Sequence, residues 1–182
     1  MGNRKNVLSR WYGDKYGENK KKPREPFRGT PQFTFDQLYI TPFTHRRAAD
    51  DLGNIIYSPI PDINLEPTGI LVMDDWLRHL REGRSDVAEF CRQYNARTSD
   101  LDSLVFLLTG MSNFDFRTKW QLRTSDALLR YTKMNVEEIA QRSGHGSRSN
   151  MYFTYERELN LSPTERRRAL RQKDDVGRYI IQ

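Results

Sequence analysis

Apolar side chains recur at helical spacing through the second half of this chain, and glycine, asparagine or proline marks each interruption. The clearest stretch runs from Met134 to Pro163. Asn135 stands where a helix N-cap belongs and Glu138 follows three residues later, so each can satisfy an orphan amide of the first turn. Met134 before the cap and Ile139 after it make a hydrophobic staple, and Val136, Ile139 and Ala140 share one apolar face. Gly144 and Gly146 end that helix, because glycine takes the left-handed conformation without a Cβ penalty. Met151, Tyr155 and Leu159 then recur every fourth residue and mark a second amphipathic helix. Two short helices around a glycine-containing turn predict a helix-turn-helix.

A second, looser version of the pattern lies upstream. Asp86 and Glu89 form a capping pair, and Val87, Phe90, Cys91 and Tyr94 make an i, i+3, i+4, i+7 stripe. After a break at Asn95 to Ser99, Leu101, Leu104 and Val105 resume the spacing. Phe116, Trp120, Leu122, Ser125, Leu128 and Leu129 suit a long joining helix, and Met73, Trp76, Leu77 and Leu80 a leading one. A last helix begins at Ser162-Pro163-x-Glu165, a cap with proline at the first helical position. Residues 32–70 read as irregular. Phe33-Thr34-Phe35, Gln37-Leu38-Tyr39-Ile40 and Ile55-Ile56-Tyr57 look strand-like, and Pro42, Pro59, Pro61 and Pro67 interrupt the rest.

The expected architecture is therefore mainly α. A basic arm (1–31) and a proline-rich segment with short strands (32–70) precede a tandem helix-turn-helix domain (71–172), and a tail (173–182) follows.

Val136-Glu137-Glu138-Ile139-Ala140, Gly144, the anchors Met151 and Tyr155, and the close Leu161-Ser162-Pro163 resemble the DNA-binding domain of the AraC/XylS regulators. Thr109-Gly110-x-Ser112 resembles the turn of the family's upstream motif, and the register from Phe90 to Pro163 holds without a gap. The chain departs from the family at His145 in place of a turn aromatic, at Asn160 in place of glycine, and at Met151 in place of phenylalanine. Asparagine is a tolerable swap, being among the commonest non-glycine residues in the left-handed region. The resemblance implies that the second helix of each motif reads DNA.

In the downstream motif that places Ser147, Arg148, Ser149, Asn150, Tyr152 and Phe153 at the DNA-facing start and face of the reading helix. Arg148 suits a guanine O6/N7 pair, Asn150 suits adenine N6/N7, and Tyr152 or Phe153 suits a thymine methyl. Arg167 falls on the family's usual arginine. With Arg168 it is expected at phosphate, although Arg166, Arg167, Arg168 and Arg171 read equally well as a solvated face. Glu156 stands where the family usually carries a basic group.

Charge divides the chain more sharply than the net +6 suggests. Residues 1–31 hold nine Lys/Arg against three acids and residues 117–182 fourteen against eight, whereas residues 32–116 hold seven against thirteen. Both flanks attract polyanions and the middle opposes them, so the upstream motif is expected to be a poor DNA reader. Its helix would offer Arg97, Thr98, Ser99, Asp100, Asp102 and Ser103, with two aspartates facing the backbone. The run Leu104-Val105-Phe106-Leu107-Leu108 makes that helix apolar on more than one side. Such a surface needs cover, either from residues 32–70 or from a protein partner or second copy. In the arm, Lys20, Lys21, Lys22, Arg24 and Arg28 lie among Trp11, Tyr12, Tyr16 and Phe27, a mixture that suits phosphates and base stacking. The same composition fits a solvated tail or a segment docked on an acidic protein.

Catalysis finds no support. Gly144-His145-Gly146-Ser147 is not a nucleophile elbow, and no phosphate loop or dinucleotide fingerprint is present. His45, His79 and His145 lack metal-ligand spacing, and the single Cys91 sits on an apolar helical face, so neither metal nor cofactor is expected. No apolar run is long enough for a membrane span and the N-terminus lacks a signal-peptide core, which predicts a soluble cytoplasmic protein. Residues 32–70 are too few for a sensory barrel, so no small-molecule effector is expected. The function expected is sequence-specific binding of double-stranded DNA in transcriptional control. The alternative is an adaptor that keeps the fold and binds protein instead.

Overall fold

Thr34 caps the first element, a single helical turn, α1 (Phe35–Leu38), in a computed structural model that describes residues 25–60 and 66–181. The Thr34 amide donates to Gln37 Oε1 at 2.8 Å while the Thr34 side chain accepts from the Gln37 amide, a capping box. The two strands read at Phe33–Phe35 and Gln37–Ile40 are therefore a helical turn and its flanks. Phe35, Leu38 and Tyr39 are buried, and Phe35 and Tyr39 pack edge-on against Trp120.

Strands β1 (Phe43–Ala49) and β2 (Ile55–Pro59) follow as an antiparallel hairpin. Its turn is built by Asp50, whose carboxylate accepts from the amides of Leu52 and Asn54 and from the Asn54 side chain. Ile55–Tyr57 is a strand as expected, whereas β1 was not foreseen. Nor was β3 (Tyr179–Ile181), which pairs with the other edge of β1 and makes a sheet of order β2-β1-β3. The tail is held there by Asp175, 2% exposed, whose carboxylate accepts from Arg130 Nε and from the Gln172 amide, both at 2.8 Å. The Arg130 guanidinium keeps that carboxyl below the usual carboxylate range.

Seven further helices follow the expected order: α2 (Leu71–Arg81), α3 (Val87–Gln93), α4 (Thr98–Thr109), α5 (Asn113–Tyr131), α6 (Val136–Arg142), α7 (Arg148–Leu159) and α8 (Pro163–Leu170). α3–α4 and α6–α7 are the two helix-turn-helix units, and the 19-residue α5 joins them. Each unit has its own core. Upstream, Met73, Trp76, Phe90, Val105, Phe116 and Trp120 are nearly inaccessible. Downstream, Leu128, Leu129, Ile139, Ala140, Met151 and Tyr155 are fully buried, with Phe43 of β1 beside them. Cys91 belongs to the first core, as its helical face predicts. Among the described residues no helix is long and apolar enough to cross a membrane.

The apolar surface of α4 is covered from within the chain, by a segment that straddles the expected boundary at residue 31. Phe27 meets Phe106 edge-on at 5.5 Å, and the Phe33 amide donates to the Leu108 carbonyl at 3.0 Å. Gly110 ends α4 at φ 72°, where a Cβ would lie 3.2 Å from Pro31. Leu107 stays 64% exposed.

Candidate nucleic-acid interface

The downstream motif starts as its sequence dictates. Asn135 and Glu138 form a reciprocal capping box, with the Asn135 amide donating to Glu138 Oε2 at 2.8 Å and the Glu138 amide to Asn135 Oδ1 at 2.9 Å. α6 then runs into Gly144 and Gly146, at φ 79° and 77°. Between them His145 turns inward and is buried, its Nε2 3.4 Å from Ser125 Oγ. Burial pushes its pKa down to about 4, so the ring is neutral at physiological pH.

Each of the three consecutive turn carbonyls accepts from a side chain. Gly144 O takes Ser85 Oγ at 2.5 Å and Gln121 Nε2 at 2.6 Å. His145 O takes Asn150 Nδ2 at 3.2 Å, and Gly146 O takes Gln141 Nε2 at 2.6 Å. These donors come from three helices and the loop between α2 and α3, so the turn that launches α7 is fixed on several sides. Sequence reading missed Ser85, Gln121 and Gln141 in this role. They carry no motif, and only their proximity in the fold identifies them.

α7 begins at Ser147, whose hydroxyl accepts from the Asn150 amide at 3.2 Å. Met151 and Tyr155 anchor it with zero exposure. The Tyr155 hydroxyl donates to Asp126 Oδ1 at 2.9 Å and lies 2.7 Å from Ser125 Oγ, and Asp126 in turn accepts a forked pair of bonds from Arg166. Asn160 closes the helix in the left-handed conformation, φ 56°, the geometry that makes asparagine acceptable there.

The opposite face is open. Arg148, Ser149, Asn150 and Phe153 are exposed, and Ser147 and Tyr152 are half-buried. The Arg148 guanidinium lies 5.3 Å over the Tyr152 ring, whose hydroxyl meets Thr164 Oγ1 at 3.2 Å. Asn150 spends one amide hydrogen on the turn. Phe153, 41% exposed, shares the Arg157 guanidinium with Phe114, at 5.5 and 5.0 Å from the two rings. Beside them a groove of about 290 Å³ lies between α5 and α7 and includes Arg117. Arg117 Nη1 donates to Ser85 O at 2.8 Å, and burial holds its pKa below the usual guanidinium range.

The arginines of α8 are neither a solvated face nor a uniform phosphate contact. Arg166 pairs with Asp126, Arg167 Nη2 donates to Met134 O at 2.6 Å, and Arg171 donates to the carbonyls of Leu129 and Thr132. Three of the four are thus turned inward to satisfy carbonyls and a carboxylate around the end of α5. Arg168 is exposed. Of the arm residues, Arg28 is exposed and paired with Glu25 at 2.7 Å, while Lys20, Lys21, Lys22 and Arg24 lie outside the described residues.

The acidic residues of α4 also have local work. Asp100 accepts from the Arg97 amide at 2.9 Å, and Asp102 Oδ1 accepts from the Asn113 amide at 2.8 Å, which ties the start of α5 to α4. Among the described residues no cluster of histidine, cysteine and carboxylate side chains could hold a metal.

Fold and site together define a tandem helix-turn-helix protein with the AraC-type arrangement of helices. Its structure is similar to the C-terminal domain of AraT, a response regulator from Geobacillus stearothermophilus. There the TM-score is 0.50 at 19% identity, covering 60% of this chain and 91% of that one. Lower scores relate it to the C-terminal domain of the two-component response regulator yesN from Fusobacterium nucleatum (TM-score 0.46, 13% identity, 53% and 94% covered). The DNA-binding domain of AdpA, solved with a target DNA, scores 0.42 at 26% identity, with 54% and 88% covered. No family model and no curated protein matches the sequence.

Proposed function

We propose that this chain is a sequence-specific regulator of transcription that binds double-stranded DNA and reads the major groove mainly through α7. The observation that carries the reading is the contrast between the two sides of that helix. Met151 and Tyr155 are inaccessible and the launching turn is tied at three carbonyls, while Arg148, Ser149, Asn150 and Phe153 stand exposed at the tip. A rigidly held helix with an exposed polar tip fits the width of the major groove, and its side chains have donors suited to purine edges. Binding requires neither catalysis nor a cofactor. The arm adds phosphate attraction, and the upstream motif, with α4 partly covered by Phe27 and its aspartates engaged, contributes packing.

The test is fluorescence anisotropy on a duplex selected from random sequence. Arg148→Ala is expected to weaken the selected site by roughly 5- to 150-fold, the equivalent of about 1–3 kcal/mol, and to leave non-specific duplex nearly unchanged. Unchanged affinity and unchanged preference would refute the reading.

Leu107, 64% exposed on α4, favours a second reading, an adaptor that keeps the fold and docks on protein through that helix. A salt-insensitive complex with a protein, lost in Leu107→Ser and indifferent to Arg148→Ala, would establish it instead.

A further inference from the structure

The sheet lies at the end of α5, and its contacts lead without a break to the reading helix. Tyr152 on α7 bonds Thr164 at the start of α8, and Arg167, one turn along α8, holds the Met134 carbonyl. Arg171 holds Thr132, so Lys133 is displayed between two fixed neighbours. Beyond it the Gly177 amide donates to the Tyr131 carbonyl at 3.3 Å, and the Arg47 amide of β1 donates to the Arg178 carbonyl at 2.8 Å. Along this path Arg46, Lys133, Arg168, Lys173 and Arg178 are all exposed.

Nearby carboxylates do not cancel these charges. Asp126 is forked by Arg166, and Asp175 is buried against Arg130. Arg178 reaches Asp175 only at 3.8 Å. Glu165 and Asp174 are exposed carboxylates of the segment, fewer than its exposed cations. The surplus is positive, and the contacts above link it to the proposed reading face.

We propose that the basic residues of the sheet, Arg46 on its central strand and Arg178 just before β3, with Lys133 between them and α7, bind the phosphate backbone of the same DNA duplex and lengthen the downstream footprint. The inference rests on the DNA-binding reading of α7. Its chemistry is different, because contacts to phosphate release counterions and carry no base preference. The sheet is thus a non-specific extension that sets strength and salt dependence, and the tip of α7 sets preference.

The experiment compares the full chain with Arg46→Gln/Arg178→Gln on selected and unrelated duplexes over a salt series. Arg78→Gln/Arg92→Gln on the upstream body serves as a control of equal charge. The sheet variant is expected to weaken both duplexes by the same factor and to flatten the plot of log K against log salt by about 1.8, the value for two lost phosphate contacts. The control should flatten it much less. An unchanged slope, or equal changes in variant and control, overturns the proposal while leaving the α7 reading intact. A flattened slope together with an Arg148→Ala variant that keeps full preference supports the sheet contact and refutes reading by α7. Absence of duplex binding by the unaltered chain at low salt refutes both. Circular dichroism with an unchanged melting temperature shows that the variants fold.

Discussion

Ser85, between α2 and α3 of the upstream body, donates its hydroxyl to the carbonyl of Gly144 in the turn of the downstream motif, at 2.5 Å. Gly83 makes the neighbouring contact. A Cβ on Gly83 would fall 2.7 Å from the Gln141 carbonyl and 2.9 Å from that of Arg142, and its φ is 73°. Here the loop between α2 and α3 meets the downstream motif backbone to backbone. Gly83→Ala is therefore expected to cost about 2–4 kcal/mol, from left-handed strain and overlap together. Chemical denaturation measures it, and a loss below about 0.5 kcal/mol would mean that the two bodies are not held this closely.

Tyr155→Phe removes the hydroxyl that joins Asp126 and Ser125 in the downstream core. The ring still fills its place, so the loss is that of buried hydrogen bonds, about 1–3 kcal/mol. A urea midpoint equal to that of the parent protein would show that the network contributes nothing.

Acid should loosen the downstream motif before carboxylates titrate. Burial lowers the His145 pKa from 6.5 to about 4, so the unfolded chain binds a proton there more readily than the folded one. Stability from this group is complete above pH 6.5, declines as pH falls towards 4, and changes by at most roughly 3 kcal/mol over that window. His145→Phe removes the titrating group and should flatten the stability profile between those values. A parent profile already flat there would contradict the buried neutral ring.

Arg167 and Arg168 are adjacent and should behave oppositely. Arg167→Ala leaves the half-buried Met134 carbonyl without its donor and is expected to lower stability by about 1–3 kcal/mol. Arg168→Ala, at an exposed position, should change stability by less than about 0.5 kcal/mol and act on duplex affinity instead. Thermal melts set beside salt-dependent binding separate the two, and identical behaviour would dissolve the distinction.

What the sequence discloses follows from how local each interaction is. The boxes at Asn135/Glu138 and Ser162/Glu165 close within one turn, and both helices start where those pairs place them. The same pairing at Thr34 and Gln37 was overlooked, because Phe33 and Phe35 alternate like a strand over too few residues to outweigh it. β1 is harder to see, since its partner β3 comes from the far side of the helical domain. The exposed face of α7 could be read from the spacing of Met151, Tyr155 and Leu159. The inward turn of Arg166, Arg167 and Arg171 could not, because the groups they satisfy lie on and just beyond α5.

Phe43 stacks on Tyr179 at 4.8 Å, and the downstream core is sealed by a strand from each extremity of the described body. A nascent polypeptide emerging from the ribosome can assemble the upstream bundle early, but Phe43 gains its full cover only once Tyr179 has been made. Closing so long a loop is entropically slow, so completion of the α6–α7 half waits on a contact that spans most of the described residues.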